Sequence, residues 1–257
     1  MKLMICGKGG SGKSTVSALL AKAMEKRGRQ VLLMDADESN IGLYKMMGTD
    51  MPRPLMEGLG GKKGFQNRLK SSGTGFGATP PLFSPGLTLA GLAKNEFTKK
   101  SLALAGTIKI MSTGKIHHFG EGCACPMGNL FRHFFSALSL GENDLVIVDT
   151  AAGLEHFGRR LDGQCDHILC VVDPSYESLT LARRMAAIAG EANIPLSLVL
   201  NKTTPDLLPD LESALEGLDI LAGLPLAPGL FTATLKGAPL DAAPPEIEVL
   251  CNAIDTL

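Results

Sequence analysis

The chain has 257 residues, enough to bury a full core, and its 45% hydrophobic and 20% charged content is ordinary for a soluble globular enzyme. A formal net charge of -1 leaves no global field to draw it to DNA, RNA or an anionic membrane. The opening MKLMICGKGG runs from a short apolar segment straight into glycines, so no signal peptide is expected, and no apolar run reaches the roughly 18 residues that a membrane span needs. The expectation is a cytoplasmic protein whose six cysteines serve as thiols or metal ligands rather than as a disulfide framework.

The first predicted element is a strand at Lys2–Cys6, followed by a glycine-rich loop and a helix with Val16, Leu19, Leu20 and Ala23 on one stripe. Further strands are predicted at Val31–Asp35, Ile108–Ser112, Leu145–Asp149, Ile168–Val172, Leu196–Leu200 and Ile220–Leu224. These runs lack alternation, which implies burial on both faces, as in a parallel sheet. Pro126 opens a second helix with Leu130, Phe131, Phe134, Phe135 and Leu138; Leu179, Ala182, Met185, Ala186 and Ala189 mark a third. The alternation predicts a three-layer α/β/α fold around a mostly parallel central sheet, with residues 1–257 forming one domain. Met51–Leu92 departs from the pattern. It is rich in Gly, Pro, Ser and Lys, has too little apolar content for a core of its own, and predicts a mobile, irregular surface insertion.

Gly7 to Ser14 fits G-x-x-x-x-G-K-[ST], and Gly7, Gly9 and Gly12 also fit the dinucleotide fingerprint G-x-G-x-x-G, with Asp35 where a ribose-binding acid would stand. The residues after the glycines decide between them. Lys13 brings a positive charge to the β- and γ-phosphates of a nucleoside triphosphate, and the Ser14 hydroxyl suits Mg²⁺; a pyrophosphate-binding turn needs neither. The strand Leu145–Asp149 ends in an acid placed to hold Mg²⁺ through water, and Gly153 lets a backbone N–H approach the γ-phosphate. Gly9, Gly10, Ser11, Gly12, Lys13, Ser14 and Thr15 are therefore the expected phosphate cradle, for ATP and ADP.

The run Lys8-Gly9-Gly10-Ser11-Gly12-Lys13-Ser14-Thr15 resembles the deviant phosphate loop of the MinD, ParA and nitrogenase iron protein class. That resemblance implies that Lys8 reaches across a nucleotide-sandwich homodimer to the partner's phosphates, a cation supplied in trans as an arginine finger is. Asp35-Ala36-Asp37 looks like the first switch of the class, in which Asp37 would orient the attacking water and communicate with Mg²⁺; either acid also suits a loop or a helix N-cap. Asn201 and Lys202 end a late strand where the class reads the purine, and an amide can pair with the adenine edge through both donor and acceptor. Gly223-Leu224-Pro225-Leu226 resembles the second base-flanking loop, with Ala227 in place of the acid often found there.

Cys123 and Cys125 follow glycines and directly precede the helix at Pro126, a setting that stabilises thiolate. Two thiolates cannot readily fill a tetrahedral site alone, whereas two chains facing each other supply four sulfurs suited to Zn²⁺ or another thiophilic ion. The motif Gly-Glu-Gly-Cys-x-Cys-Pro, with the later Asp-Thr-Ala-Ala-Gly-Leu-Glu-His-Phe-Gly-Arg, closely resembles the CooC-type accessory ATPases. These serve nickel insertion into carbon monoxide dehydrogenase or the related acetyl-CoA synthase. The resemblance implies an ATP-driven metallochaperone acting as a homodimer, with Ni²⁺ or Zn²⁺ between the two cysteine pairs and one of those enzymes as client. His117 and His118 flank the pair and read either as auxiliary nickel ligands or as solvated loop residues.

Two rival readings stand beside this one. A MinD/ParA-type positioning ATPase needs a membrane or DNA surface, but the Pro245–Leu250 segment is acidic and no basic cluster is evident, so neither membrane nor nucleic acid is an expected partner. An iron–sulfur electron-transfer or assembly ATPase would use well-separated cysteines, which the tight C-x-C disfavours.

Overall fold

The computed structural model describes residues 1–71, 82–115, 125–153 and 165–257. All seven expected strands form, as β1 (Lys2–Gly7), β2 (Gln30–Asp35), β4 (Ile108–Ser112), β5 (Asp144–Asp149), β6 (His167–Val172), β7 (Leu196–Thr203) and β8 (Ile220–Pro225). An additional short strand, β3 (Ala103–Ala105), was not foreseen; at three residues it carries no pattern to read. The sheet order is β3-β4-β2-β5-β1-β6-β7-β8, parallel throughout except for the antiparallel β3–β4 pair. β1 therefore lies between β5 and β6, and its C-terminal end opens at the reversal of strand order where α/β sheets bind ligands.

The strands read as unbroken apolar runs because both faces are covered. Met4, Leu32, Val146 and Val148 join one core cluster, while Leu3, Ile5, Leu33 and Ile147 join the other. The helices α1 (Lys13–Lys26), α2 (Leu43–Met47) and, near the C-terminus, α9 (Glu246–Asp255) cover the second face. The stripe Val16, Leu19, Leu20 and Ala23 is buried there, with Ile247, Leu250 and Ile254 of α9 against the same cluster. The first face carries α5 (Cys125–Ala137) and α6 (Tyr176–Glu191), whose Phe131, Phe134, Ala182 and Met185 are buried. β8 differs from the expected fully buried strand: its burial alternates because it lies at the sheet edge.

Residues 51–92 correct one expectation. The described part is not a surface appendage. It forms α3 (Leu55–Gly58) and α4 (Gly61–Ser71), and Leu55, Met56, Leu59, Phe65, Phe83, Leu89 and Leu92 are buried in the cluster on the first face. Phe83 meets Phe134 edge-to-face at 5.5 Å, and Phe65 meets His133 at 6.4 Å. The low average hydropathy is real, but a segment that joins an existing core needs only a few apolar anchors, and average composition hides them. Residues 72–81 lie outside the described residues. Among the described residues, no helix is long and apolar enough to cross a membrane.

Candidate functional site

The loop after β1 owes its path to two glycines. Gly7 has φ +143° and Gly12 φ +100°, and a Cβ at these positions would run into Val171 O and Asn201 Nδ2 respectively. Gly12 sits at the start of α1, so the helix N-terminus and its free N–H groups face the cavity, an arrangement suited to phosphate. Lys13 is buried and its Nζ donates to Lys8 O at 3.1 Å, folded back over the loop. From the far side, Asn201 Nδ2 donates to Ser11 O at 2.7 Å and Lys202 Nζ to Gly10 O at 2.6 Å. Asn201, expected to read the base, and its neighbour Lys202 thus brace the phosphate loop, Lys202 with φ +59°.

Parallel pairing of β2 with β5 sets Asp35 directly beside Asp149 at their C-terminal ends. Asp149 is fully buried; its Oδ2 accepts from Ser14 Oγ at 2.6 Å and from Asn40 Nδ2 at 3.0 Å, and Oδ1 from Ser17 Oγ at 3.4 Å. Burial, and then the neighbouring charge of Asp35, push its carboxyl up to about 7, against the hydrogen bond from Ser14 and the charge of Lys13. A buried carboxylate with a hydroxyl beside it and no contacting cation is an oxygen donor set that a hard divalent cation would satisfy. Asp35 is also raised by burial, which the ammonium of Lys115 opposes. Asp37 lines the same cavity, with its Oδ1 accepting from Ser39 N–H at 2.8 Å and Ser39 Oγ at 2.7 Å.

The cavity holds about 510 Å³. Gly9, Gly10, Gly12, Lys13, Ser14 and Thr15 line it with Asn201 and Lys202 beside them, and Pro225, Leu226 and Ala227 extend the lining. Beyond them stands α8 (Pro228–Leu235), which contributes Leu230, Phe231 and Thr234. Gly153, at φ +87°, donates its N–H to Gly7 O at 3.2 Å and brings the end of the Asp149 loop against the phosphate loop.

Residues 3–240 match the model of the CobQ/CobB/MinD/ParA nucleotide binding domain. The chain belongs to this family. It is a MinD/ParA-type ATPase with a nucleotide-binding site. An uncharacterized ATP-binding protein of Methanocaldococcus jannaschii is 40% identical over 251 residues, 96% of this chain and 97% of that protein. The carbon monoxide dehydrogenase accessory protein CooC of Rhodospirillum rubrum is 28% identical over 200 residues, 76% of this chain and 71% of its own. Among solved structures, the cell division ATPase MinD of Pyrococcus furiosus superposes with a TM-score of 0.68 at 18% identity, covering 99% of this chain and 98% of that one.

In this MinD/ParA-type ATPase, Gly9, Gly10, Gly12, Lys13, Ser14 and Thr15 of the expected phosphate residues line one cavity; Ser11 is buried behind it, Gly153 does not line it, and Lys8 stands apart. Lys8 Nζ lies 3.2 Å from Glu177 Oε2 and donates to Ser175 Oγ at 3.2 Å, both at the start of α6 of the same chain. Glu177 is 77% exposed, so the pair is easily released. Sequence reasoning gave no role to Asn40, which bridges Ser14 and Asp149, or to Lys115 and Tyr44, which converge on Asp35. Cys123, His117, His118 and residues 155–159 lie outside the described residues, as does the side chain of Cys125. Among the described residues no group of three or more His, Cys, Asp or Glu is placed to hold a metal ion. Cys6 and Cys170 are buried on paired strands, and Cys251 is buried in α9.

Proposed function

We propose that the chain is an ATP-hydrolysing metallochaperone, working as a nucleotide-switched homodimer to deliver nickel to carbon monoxide dehydrogenase or the related acetyl-CoA synthase. For the ATPase part, the supporting observation is the buried Asp149 carboxylate set 2.6 Å from the hydroxyl of Ser14. Mg²⁺ fits that pair and would supply charge neutralisation for the phosphates. Lys13 and the N–H groups of Gly9 to Thr15 hold the phosphates. Asp37 orients water, and Lys8, released from Glu177, acts across the dimer.

For the metal part, the support is the similarity to CooC together with Cys123 and Cys125. Four thiolates from two chains would bind one thiophilic ion, tetrahedrally if Zn²⁺ and in a square plane if Ni²⁺. The test is metal analysis and X-ray absorption on anaerobically purified protein, with and without ATP. One metal per two chains in a sulfur shell, absent from a Cys123→Ser/Cys125→Ser variant that still binds ATP, is the expected result. One metal per chain, or a shell of nitrogen and oxygen, would rule the shared site out. Co-sedimentation with liposomes or DNA would instead point to a positioning ATPase.

A further inference from the structure

Away from the phosphate loop, one buried ion pair ties the Asp35–Asp37 segment to the residues that follow β4. Lys115 Nζ lies 2.7 Å from Asp35 Oδ2, and the two side chains are 2% and 0% exposed. The same ammonium donates to Asp37 O at 2.6 Å. Asp35 Oδ1 accepts from the Asp37 N–H at 3.1 Å, while Asp35 Oδ2 also accepts from Tyr44 OH at 2.5 Å. The amide and the carbonyl of Asp37 are thus each held by one member of a single ion pair.

Stability alone gives this pair little reason to exist. Removing two charges from water costs about as much as their attraction returns, and apolar residues of similar volume usually do as well or better. The bond from Lys115 to Asp37 O does nothing to balance Asp35. What it does is fix a peptide just past the sheet: the Ala36 N–H still donates to Asp149 O of β5 at 2.9 Å, and the Asp37 carbonyl beyond it is held by Lys115. Asp37 lines the nucleotide cavity from that peptide. A rotation of the backbone there would swing the carboxylate away from the phosphate end, and positioning errors of about an ångström are enough to cost orders of magnitude in rate.

We propose that Lys115 is a positioning residue for ATP hydrolysis, clamping the Asp37 main chain through its carbonyl and through Asp35. The inference rests on the reading of Asp37 as the water-orienting acid.

The test is steady-state ATP hydrolysis, nucleotide affinity and thermal unfolding of the whole chain in five forms: wild type, Lys115→Met, Lys115→Arg, Asp35→Asn and Asp35→Asn/Lys115→Met. Lys115→Met is expected to lower kcat roughly tenfold, the worth of one charge-assisted hydrogen bond, and to leave KM within about threefold. Lys115→Arg keeps the charge and can donate to both Asp35 and Asp37 O, so it should lose less of kcat than Lys115→Met. Should Lys115→Met not fold because it strands a buried carboxylate, the Asp35→Asn background removes that charge. There, adding Lys115→Met deletes the bond to Asp37 O together with a bond to a neutral amide at position 35, without stranding a buried carboxylate, and kcat must still fall. Wild-type kcat in Lys115→Met, or no further loss when it is added to Asp35→Asn, overturns the proposal. Asp37→Ala separates the two readings: full turnover in that variant would remove the role of Asp37 itself, whereas an inactive Asp37→Ala beside a fully active Lys115→Met would remove only that of Lys115.

Discussion

The two ends of the nucleotide cavity are built in opposite ways. At the phosphate end the functional groups come from strand termini and a helix start, are largely buried, and are held by short bonds such as Ser14 to Asp149 at 2.6 Å and Asn201 to Ser11 O at 2.7 Å. At the base end, α8 buries none of its residues, and Leu226, Phe231 and Leu235 are 55%, 67% and 76% exposed. The first arrangement limits movement where charge must be met at fixed distances. The second leaves apolar surface to be covered by whatever enters the cavity. On the proposed reading, the reaction chemistry would reside at the strand ends, whose geometry is dictated by register, and base recognition in the loops and α8 beyond them.

The sharpest way to break this contrast is to remove the buried cation. Lys13→Ala is expected to lower ATP hydrolysis by on the order of 1000-fold and to weaken ADP as well, as loss of a preorganised phosphate ligand does. Calorimetry with ADP and a turnover assay check it, and unaltered values would show that the loop N–H groups hold the phosphates unaided. Asp37→Ala comes next. It should reduce kcat by roughly 100-fold, the usual contribution of a positioned acid or base, and leave ADP affinity nearly unchanged. Single-turnover kinetics decide it, and a normal burst would exclude Asp37 from the chemical step.

Asn201→Ala lies on the boundary between the two ends. The side chain braces Ser11 O and also lines the cavity, so the loss is expected in KM, by about tenfold, with a smaller change in kcat. The ratio of ATP to GTP affinity should fall with it if the amide reads the base. A changed KM with an unchanged ratio would leave Asn201 as a brace alone.

How much of this was legible in the sequence follows from how local each signal is. Lys13 and Ser14 sit at fixed offsets from glycines, and Asp149 ends an apolar run, so their roles could be inferred without knowing the fold. The parallel sheet was readable for the same reason: buried strands write their burial into consecutive residues. The Lys115–Asp35 pair spans 80 residues and has no period or spacing, so only the register of β2 beside β4 brings it together. Asn40 is similar, being read as part of a loop until Ser14 and Asp149 are placed around it. Leu55, Met56 and Phe83 were obscured by the prolines and glycines around them, although each is buried in the core on the first face of the sheet. The cysteine pair narrows the resemblance to the CooC type, but Cys123 and the side chain of Cys125 lie outside the described residues.

The smallest expected effect tests the exposed end. Phe231 is two-thirds exposed on a helix whose Leu230 and Ala233 are only half-buried, yet it lines the nucleotide cavity together with Leu226 and Leu230. A solvent-facing aromatic residue contributes little to the free protein, so Phe231→Ala should shift unfolding without nucleotide by no more than about 0.5 kcal/mol. With nucleotide bound, the ring has a base to cover, and stacking of this kind is worth about 1–3 kcal/mol. Affinity for ADP should therefore fall about fivefold, at the lower end of that range because the ring stays partly in water. Every base has a π-face, so the loss should be equal for ADP and GDP, unlike that of Asn201→Ala. kcat at saturating ATP should hold, since Phe231 lies across the cavity from the phosphate loop. Calorimetry with both diphosphates and a thermal scan without nucleotide suffice. Unchanged affinity would leave Phe231 facing solvent in the bound state too, and a selective loss of ADP over GDP would assign it to specificity rather than to stacking.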